Sequence, residues 1–154
     1  MPERADSAKP QQPDAAHRVP DDVDPATVEA VGKLTEALET TERARGHLYS
    51  FHQLTGHADL QVSEAVDLLR EAGHDAFADR VAAQLVGRNV IEGRWTFQVV
   101  EDYDDGYWRE FHDLERAARD ELTHGRRHLH EARMKEDRRT QGRRDHEARP
   151  ATSE

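Results

Sequence analysis

The sequence of 154 residues contains no cysteine, which excludes disulfide bonds, thiolate metal sites and cysteine nucleophiles. It also lacks a glycine-rich phosphate loop, a Gly-x-Ser-x-Gly motif and a His-Glu-x-x-His motif. These motifs would indicate a nucleotide-binding protein, a serine hydrolase and a zinc protease. The sequence offers no sharp enzyme signature, and we assign it no catalytic residue.

Long apolar segments are missing as well. No stretch approaches the 18 consecutive apolar residues expected of a membrane helix, and residues 1–24 lack the apolar region of a signal peptide. We therefore expect a cytoplasmic protein without membrane contact. The mean hydropathy of -1.00 further indicates that part of the chain is not packed.

Positive charge is scarce in most of the chain. Residues 1–125 carry 13 Lys and Arg against 26 Asp and Glu, whereas residues 126–149 carry 9 against 5. Binding to a nucleic-acid backbone requires clustered basic residues. The acidic body argues against that partner, and only the basic tail could make such contacts.

The apolar periodicity predicts an all-α fold, a helical bundle of two long helices plus two shorter helical pieces, with disordered termini. Residues 1–24 hold four of the six prolines and little to bury, so they read as a disordered tail. We place the bundle domain at residues 25–132. Residues 133–154 form a charged tail, which we expect to extend the last helix and then become disordered.

Capping residues suggest the helix boundaries. The first helix runs from Pro25, after the capping Asp24, to a C-cap at Gly56. Shorter pieces follow at 59–73 and 75–87, with a break at Gly73 and His74. A second long helix covers 108–132, and we assign the acidic residues just before it to capping.

Residues 89–105 are open to three interpretations. Trp95, Phe97 and Val99 alternate with Thr96 and Gln98 as in a β-strand, which could pair only with a second copy of the chain. An extended connector and a helix with Trp95, Val99 and Tyr103 on one face are the alternatives. We favour the connector.

A polar ladder interrupts the apolar face of the first helix. Glu42, Arg45, Tyr49 and His52 follow one another at steps of 3, 4 and 3 residues. We interpret them as a buried polar cluster that specifies packing, because a buried charge must be paired. A carboxylate partner for Arg45 is expected among Glu71, Glu101, Glu115 and Glu121.

His52 supports a further hypothesis, that the protein responds to pH. If the His52 imidazole is buried and neutral beside Arg45, its protonation at low pH would oppose folding.

Ten histidines make a metal site the alternative to be weighed. A ferritin-like di-iron carboxylate bundle uses one Glu from each of two helices and Glu-x-x-His from each of the other two. The sequence can supply this pattern through the following residues: Glu42, Glu71, His74, Glu92 or Glu101, Glu121 and His124. His124 and His128, four residues apart, could also bind zinc together with Glu121.

Several observations weaken the metal hypothesis. With 16 Glu and 10 His in the chain, about one Glu-x-x-His arises by chance, and Glu71 points away from the apolar face of its helix. Arg45 is a permanent cation and a poor neighbour for a dication. We therefore predict no metal, with iron or zinc kept as the weaker alternative.

These observations together favour a non-catalytic structural or protein-interaction module. We expect an acidic, histidine-rich helical protein that forms a homodimer or another homo-oligomer, or binds a protein partner. The alternative is a metal-binding helical bundle.

Overall fold

The computed structural model describes residues 11–151. Over this range the chain is an all-α helical bundle without a β-strand, which confirms the predicted fold class. None of the helices in this part of the chain combines the length and apolarity needed to cross a membrane. In chain order the elements are a 3-10 turn Ala15–His17, α1 Pro25–Glu71, α2 Asp75–Leu85, α3 Thr96–Tyr103, a π-helical turn Asp104–Trp108, α4 Arg109–Leu122 and α5 Leu129–Arg138.

α3, the π-helical turn and α4 follow one another without a gap. Residues 96–122 are therefore one long helix that contains a single wide turn. Together with α1 it provides the two long helices, and α2 and α5 are the two shorter ones. The helices are divided differently from the prediction, because the piece expected at 59–73 is the end of α1 and α5 was not expected as a separate helix.

Local capping signals define both ends of α1. The side-chain Oδ1 of Asp24 accepts a hydrogen bond from the Thr27 amide at 2.7 Å, and this bond holds the pKa of Asp24 below its ordinary value. At the other end Gly73 has a φ of +85°. The amide of His74 bonds to the Leu69 carbonyl at 2.8 Å, which completes a Schellman motif. The predicted start at Pro25 and the break at Gly73 are confirmed.

The predicted end of the first helix at Gly56 is wrong, because α1 continues to Glu71. Glycine inside a helix costs about 1 kcal/mol relative to alanine. Burial of one valine side chain contributes about 1.5–3 kcal/mol, and Val66 beyond the glycine is only 4% exposed. The burial of side chains after Gly56 therefore outweighs the tendency of this glycine to end the helix.

The strand and connector interpretations are wrong for residues 96–103, which form α3. The side-chain oxygen of Gln98 accepts a hydrogen bond from the Trp95 amide at 2.8 Å and helps to start the helix. The helical alternative is therefore confirmed for Val99 and Tyr103. The extended connector is limited to the residues before Thr96, where Ile91 and Arg94 form an isolated bridge.

The predicted helix over 108–132 is interrupted between α4 and α5. His124, Gly125 and His128 have φ values of 55°, 72° and 56°, which an α-helix does not tolerate. The hydroxyl of Thr123 donates to the Arg119 carbonyl at 3.0 Å or the Arg126 carbonyl at 3.2 Å, within a turn. The expected helical extension is thus a separate helix, α5.

The chain divides into two compact units. The central unit is Leu38–His112, and the terminal unit is Met1–Ala37 with Asp113–Glu154. The core of the central unit contains Leu38, Val66, Ala78 and Val100. The core of the terminal unit contains Val28, Val31, Leu129 and Ala148.

The tails that we predicted to be disordered lie in the terminal unit. Residues 1–10 and 152–154 are outside the described residues. Within the described part, Arg139 Nη2 donates to the Gln11 carbonyl at 2.6 Å, and the Ala148 amide donates to Gln11 Oε1 at 2.8 Å. These contacts between the two tails were not predicted from the charge pattern.

Candidate functional site

The central unit contains a polar cluster around Arg45, on α1. The Arg45 Nε donates to Asp104 Oδ1 at 2.7 Å, and Nη2 donates to Asp104 Oδ2 at 3.1 Å. Two donors of the planar guanidinium therefore match the two oxygens of one carboxylate. The hydrogen bond from Arg45 holds the pKa of the Asp104 carboxyl below its ordinary value, and Asp104 in turn raises the pKa of Arg45.

Tyr49 adds a third donor to the same carboxylate. Its hydroxyl donates to Asp104 Oδ2 at 3.1 Å, and Arg45 Nη2 lies 3.4 Å from the Tyr49 oxygen. The Arg45 Cζ is 5.1 Å from the Tyr49 ring centroid and 4.3 Å from that of Trp108. Arg45 therefore combines an ion pair with cation–π contacts.

Trp108 connects the cluster to Glu42. The indole Nε1 donates to Glu42 Oε1 at 2.7 Å, and Arg45 Nη1 lies 3.9 Å from Glu42 Oε2. We call these residues the Arg45 cluster: Glu42, Arg45, Tyr49, Asp104 and Trp108. Three of them come from the predicted ladder, and two come from the π-helical turn.

The π-helical turn brings Asp104 and Trp108 to the same side of their helix. In a regular α-helix a step of four residues turns about 40° beyond a full rotation. Repeated steps from Thr96 through Val100 and Asp104 to Trp108 would therefore drift around the helix. A π-helical turn has more residues per rotation than an α-helix. A step of four residues within it therefore does not pass a full rotation, and the drift stops there.

The chemistry of the Arg45 cluster indicates that it holds two helices together. Arginine stays protonated at physiological pH, so it cannot act as a general base. The Asp104 carboxylate is ionised and accepts from two side chains, and the Trp108 indole is engaged by Glu42. The arrangement fixes α1 against the helix 96–122 within the central unit.

The prediction that the ladder is buried is wrong for the single chain. Glu42 and Tyr49 are exposed, and Arg45 and His52 are half-buried. The long Arg45 side chain covers apolar surface while its head group remains near water. The partner of Arg45 is also corrected, because Asp104 takes the place we expected for Glu71, Glu101, Glu115 or Glu121.

Comparisons of the chain with protein-family models, curated proteins and solved structures find no match.

His52 is the member of the predicted ladder that does not join the Arg45 cluster. Its Nδ1 atom is buried and has no hydrogen-bond partner among the described residues. An acceptor nitrogen in that position has no donor to pair with. The hypothesis of a pH response at His52 stays a prediction.

The proposed di-iron ligands of the central unit are not assembled around one point. Glu42 is held by Trp108, and Glu71, His74 and Glu101 are exposed. Among the described residues of this unit, no three of these four bring ligand atoms within reach of one ion.

The proposed ligands in the terminal unit are also separate. His124 Nε2 lies 2.9 Å from Asp22 Oδ2, His128 Nδ1 lies 3.9 Å from Glu131 Oε2, and Glu121 is exposed. His124 and His128 lie in the turn after α4, so the helical spacing that suggested a shared ion is absent.

A second polar cluster, in the core of the terminal unit, centres on Glu115. The Glu115 residue is 3% exposed, and its Oε1 accepts from Thr35 Oγ1 and from Arg119 Nε, both at 2.8 Å. This set joins α1 to α4 within the unit. The sequence instead suggests Glu115 as one of four carboxylates that could close on the polar ladder of the first helix.

The roles of Asp104 and Trp108 were missed in the sequence. No signal in the sequence indicates the wide turn, because the residues at four-residue steps from Thr96 to His112 share no common property. We had assigned Asp104 to capping, because acidic residues often precede a helix.

Proposed function

We propose that this chain is a non-catalytic helical protein-interaction module that self-associates in the cytoplasm. The observation that carries the proposal is the exposed apolar surface of the central unit. Its large apolar side chains that are between 37% and 68% exposed are Tyr49, Phe51, Leu54, Leu60, Leu68, Phe77, Leu85, Val86, Ile91, Phe97 and Tyr107. The number of large apolar side chains exposed on one small unit favours association with another protein.

The Arg45 cluster supports a structural role for the polar ladder. Its donors and acceptors pair with one another, and Arg45 donates two hydrogen bonds to a single carboxylate. A site for binding or catalysis would be expected to leave some of these groups for a ligand. We therefore assign the cluster to the scaffold that holds the interaction surface.

Charge supports protein rather than nucleic acid as the partner. The central unit carries 7 Lys and Arg against 14 Asp and Glu. In the basic tail, side chains of Arg126, Arg139 and Arg149 donate to main-chain carbonyls of Arg18, Gln11 and Gln12. Arginines engaged in this way have fewer donors left for phosphates.

Measurement of the mass in solution tests the proposal. Sedimentation velocity and light scattering over a wide concentration range should give a mass of at least two chains. The association should persist at high salt, because apolar contacts are not screened as charge contacts are. A monomer at every concentration would overturn the proposal.

A further inference from the structure

α1 carries two parallel rows of side chains in the central unit. One row packs inward and includes Thr41, Arg45, Leu48, His52 and Thr55. The other row is exposed, and we call it the exposed row: Phe51, Leu54, Ala58, Gln61, Ala65 and Leu68. Phe51, Leu54 and Leu68 are 42%, 68% and 64% exposed.

The exposed row has the spacing of a helix–helix seam. Its members follow one another at steps of 3, 4, 3, 4 and 3 residues. All of them except Gln61 are apolar, and apolar residues at alternating steps of three and four are what a second helix needs in order to pack along the first. The occupant that suits this face is therefore another long helix.

The sizes of the side chains favour a second copy of α1 in antiparallel orientation. Phe51 lies seven residues before Ala58, and Ala65 lies seven residues after it. In an antiparallel pair centred on Ala58, each Phe51 would face Ala65 of the other copy, so that a large side chain meets a small one. In a parallel pair Phe51 would face Phe51, and Ala65 would face Ala65, leaving crowding at one place and a gap at another.

The charges at the ends of the exposed row agree with this orientation. Arg43 flanks one end and Glu71 the other, and both are exposed without an ion pair among the described residues. Reversing the second helix brings Arg43 of one copy towards Glu71 of the other. Parallel helices would instead bring each charge towards its own kind, which disfavours association.

We propose that two copies of this chain pair through the exposed row as an antiparallel helix dimer, with the two-fold axis beside Ala58. This inference rests on the proposed function, since it names the partner and the surface for self-association. A two-fold contact of this type is closed, so it produces a dimer rather than a filament.

The absence of cysteine allows a direct test by cross-linking, because each cysteine introduced is the only one in the chain. A disulfide requires Cα atoms within about 4.4–6.8 Å of each other. In the proposed dimer the two copies of residue 58 meet at the axis, so Ala58→Cys should form a covalent dimer on mild oxidation. Ala65→Cys is the matched control, because its two copies would lie about 21 Å apart along the helices.

A mixing experiment tests the register. Phe51→Cys and Ala65→Cys should each fail to cross-link alone, but a mixture of the two chains should give a covalent heterodimer, identified by mass. Efficient cross-linking of Ala65→Cys alone would show parallel helices and overturn the proposal. Failure of both Ala58→Cys and the mixture, in a protein that sediments as a dimer, would also overturn it while leaving self-association standing.

Two glutamate variants identify the surface without cross-linking. Leu54→Glu places a carboxylate in the seam and should weaken the dimer by roughly 100-fold or more. Leu60→Glu is the matched control, because Leu60 is 64% exposed but two residues from Ala58 and thus on the opposite side of α1. Circular dichroism should show the same helix content in both variants. Equal weakening of the dimer by the two changes would refute the proposed seam, and a wild-type monomer would refute both the seam and the proposed function.

Discussion

Arg45 and Asp104 are 59 positions apart in the sequence and share two hydrogen bonds, of 2.7 and 3.1 Å. The pair joins α1 to the π-helical turn within the central unit. Both groups are also held from other sides, Arg45 by the Trp108 ring and Asp104 by the Tyr49 hydroxyl. These contacts therefore fix the register of one long helix against the other. Apolar contacts alone would specify this register less sharply.

Asp104→Asn should make the protein less stable at neutral pH, and this loss should depend on pH. The pKa of Asp104 is lowered in the folded state, so the carboxylate stabilises the fold above its unfolded pKa of about 3.9. The contribution is lost as the pH falls through the lowered folded pKa. Urea unfolding from neutral to acid pH should therefore show the wild type and the variant converging at low pH.

The control for this experiment is Asp102→Asn, which removes an exposed ion pair with Arg94. Exposed pairs contribute about 0–1 kcal/mol, so this change should have a small effect. A loss of equal size in the two variants at neutral pH would contradict the role we give to Asp104.

Glu115→Gln should destabilise the terminal unit strongly. The change removes a buried carboxylate and leaves the Arg119 guanidinium without its charged partner, and breaking a buried pair costs about 3–5 kcal/mol. Arg116→Gln, in the exposed pair with Asp113, is the matched control and should cost at most about 1 kcal/mol. Chemical unfolding measures both, and near-equal values would show that Glu115 is not the anchor of this core.

Two glycines of α1 should respond in opposite directions to replacement by alanine. A Cβ atom at Gly32 would lie 3.0 Å from the His130 Cβ, so Gly32→Ala should force α1 and α5 apart and cost about 1–3 kcal/mol. Gly46 has open space around it, and Gly46→Ala should stabilise the helix by about 0.4–1 kcal/mol. Thermal unfolding should show opposite shifts. Stabilisation by Gly32→Ala would mean that α5 is not held in this position.

Addition of zinc or ferrous iron should leave the melting temperature unchanged. The di-iron ligand set predicted from the sequence does not converge within either unit, and His124 and His128 occupy a turn. A ligand that binds only the folded state raises its stability, so calorimetry with and without metal is a direct measurement. Stoichiometric iron or zinc in the purified protein, with a raised melting temperature, would restore the ferritin-like alternative.

The features predicted correctly from the sequence are those with local physical causes. Asp24 caps the helix that starts at Pro25, and Gly73 ends that helix through its left-handed backbone. Such signals act through groups a few residues away.

The features that were missed depend on contacts between distant parts of the chain. Gly56 resembles a helix end, but packing of Val66 carries α1 past it. The alternating aromatic residues before Val100 resemble a strand. The sequence offers no second strand that could pair with its backbone groups. Asp104 could be recognised as the partner of Arg45 only if the wide turn was already known.

The π-helical turn also determines where the length of this helix can change. Removal of one residue, such as Gly106, would allow the backbone to close into an ordinary α-helix with its hydrogen bonds intact. Because a π-helical turn takes one residue more per rotation than an α-helix, the segments on either side of the deletion would keep nearly the same relative rotation. Val100 would stay on the core side of the helix and Asp104 would stay near Arg45, so the fold as well as the helix should tolerate this deletion. The wide turn thus lets this helix lose a residue without turning one half against the other, which a deletion in a regular α-helix would do.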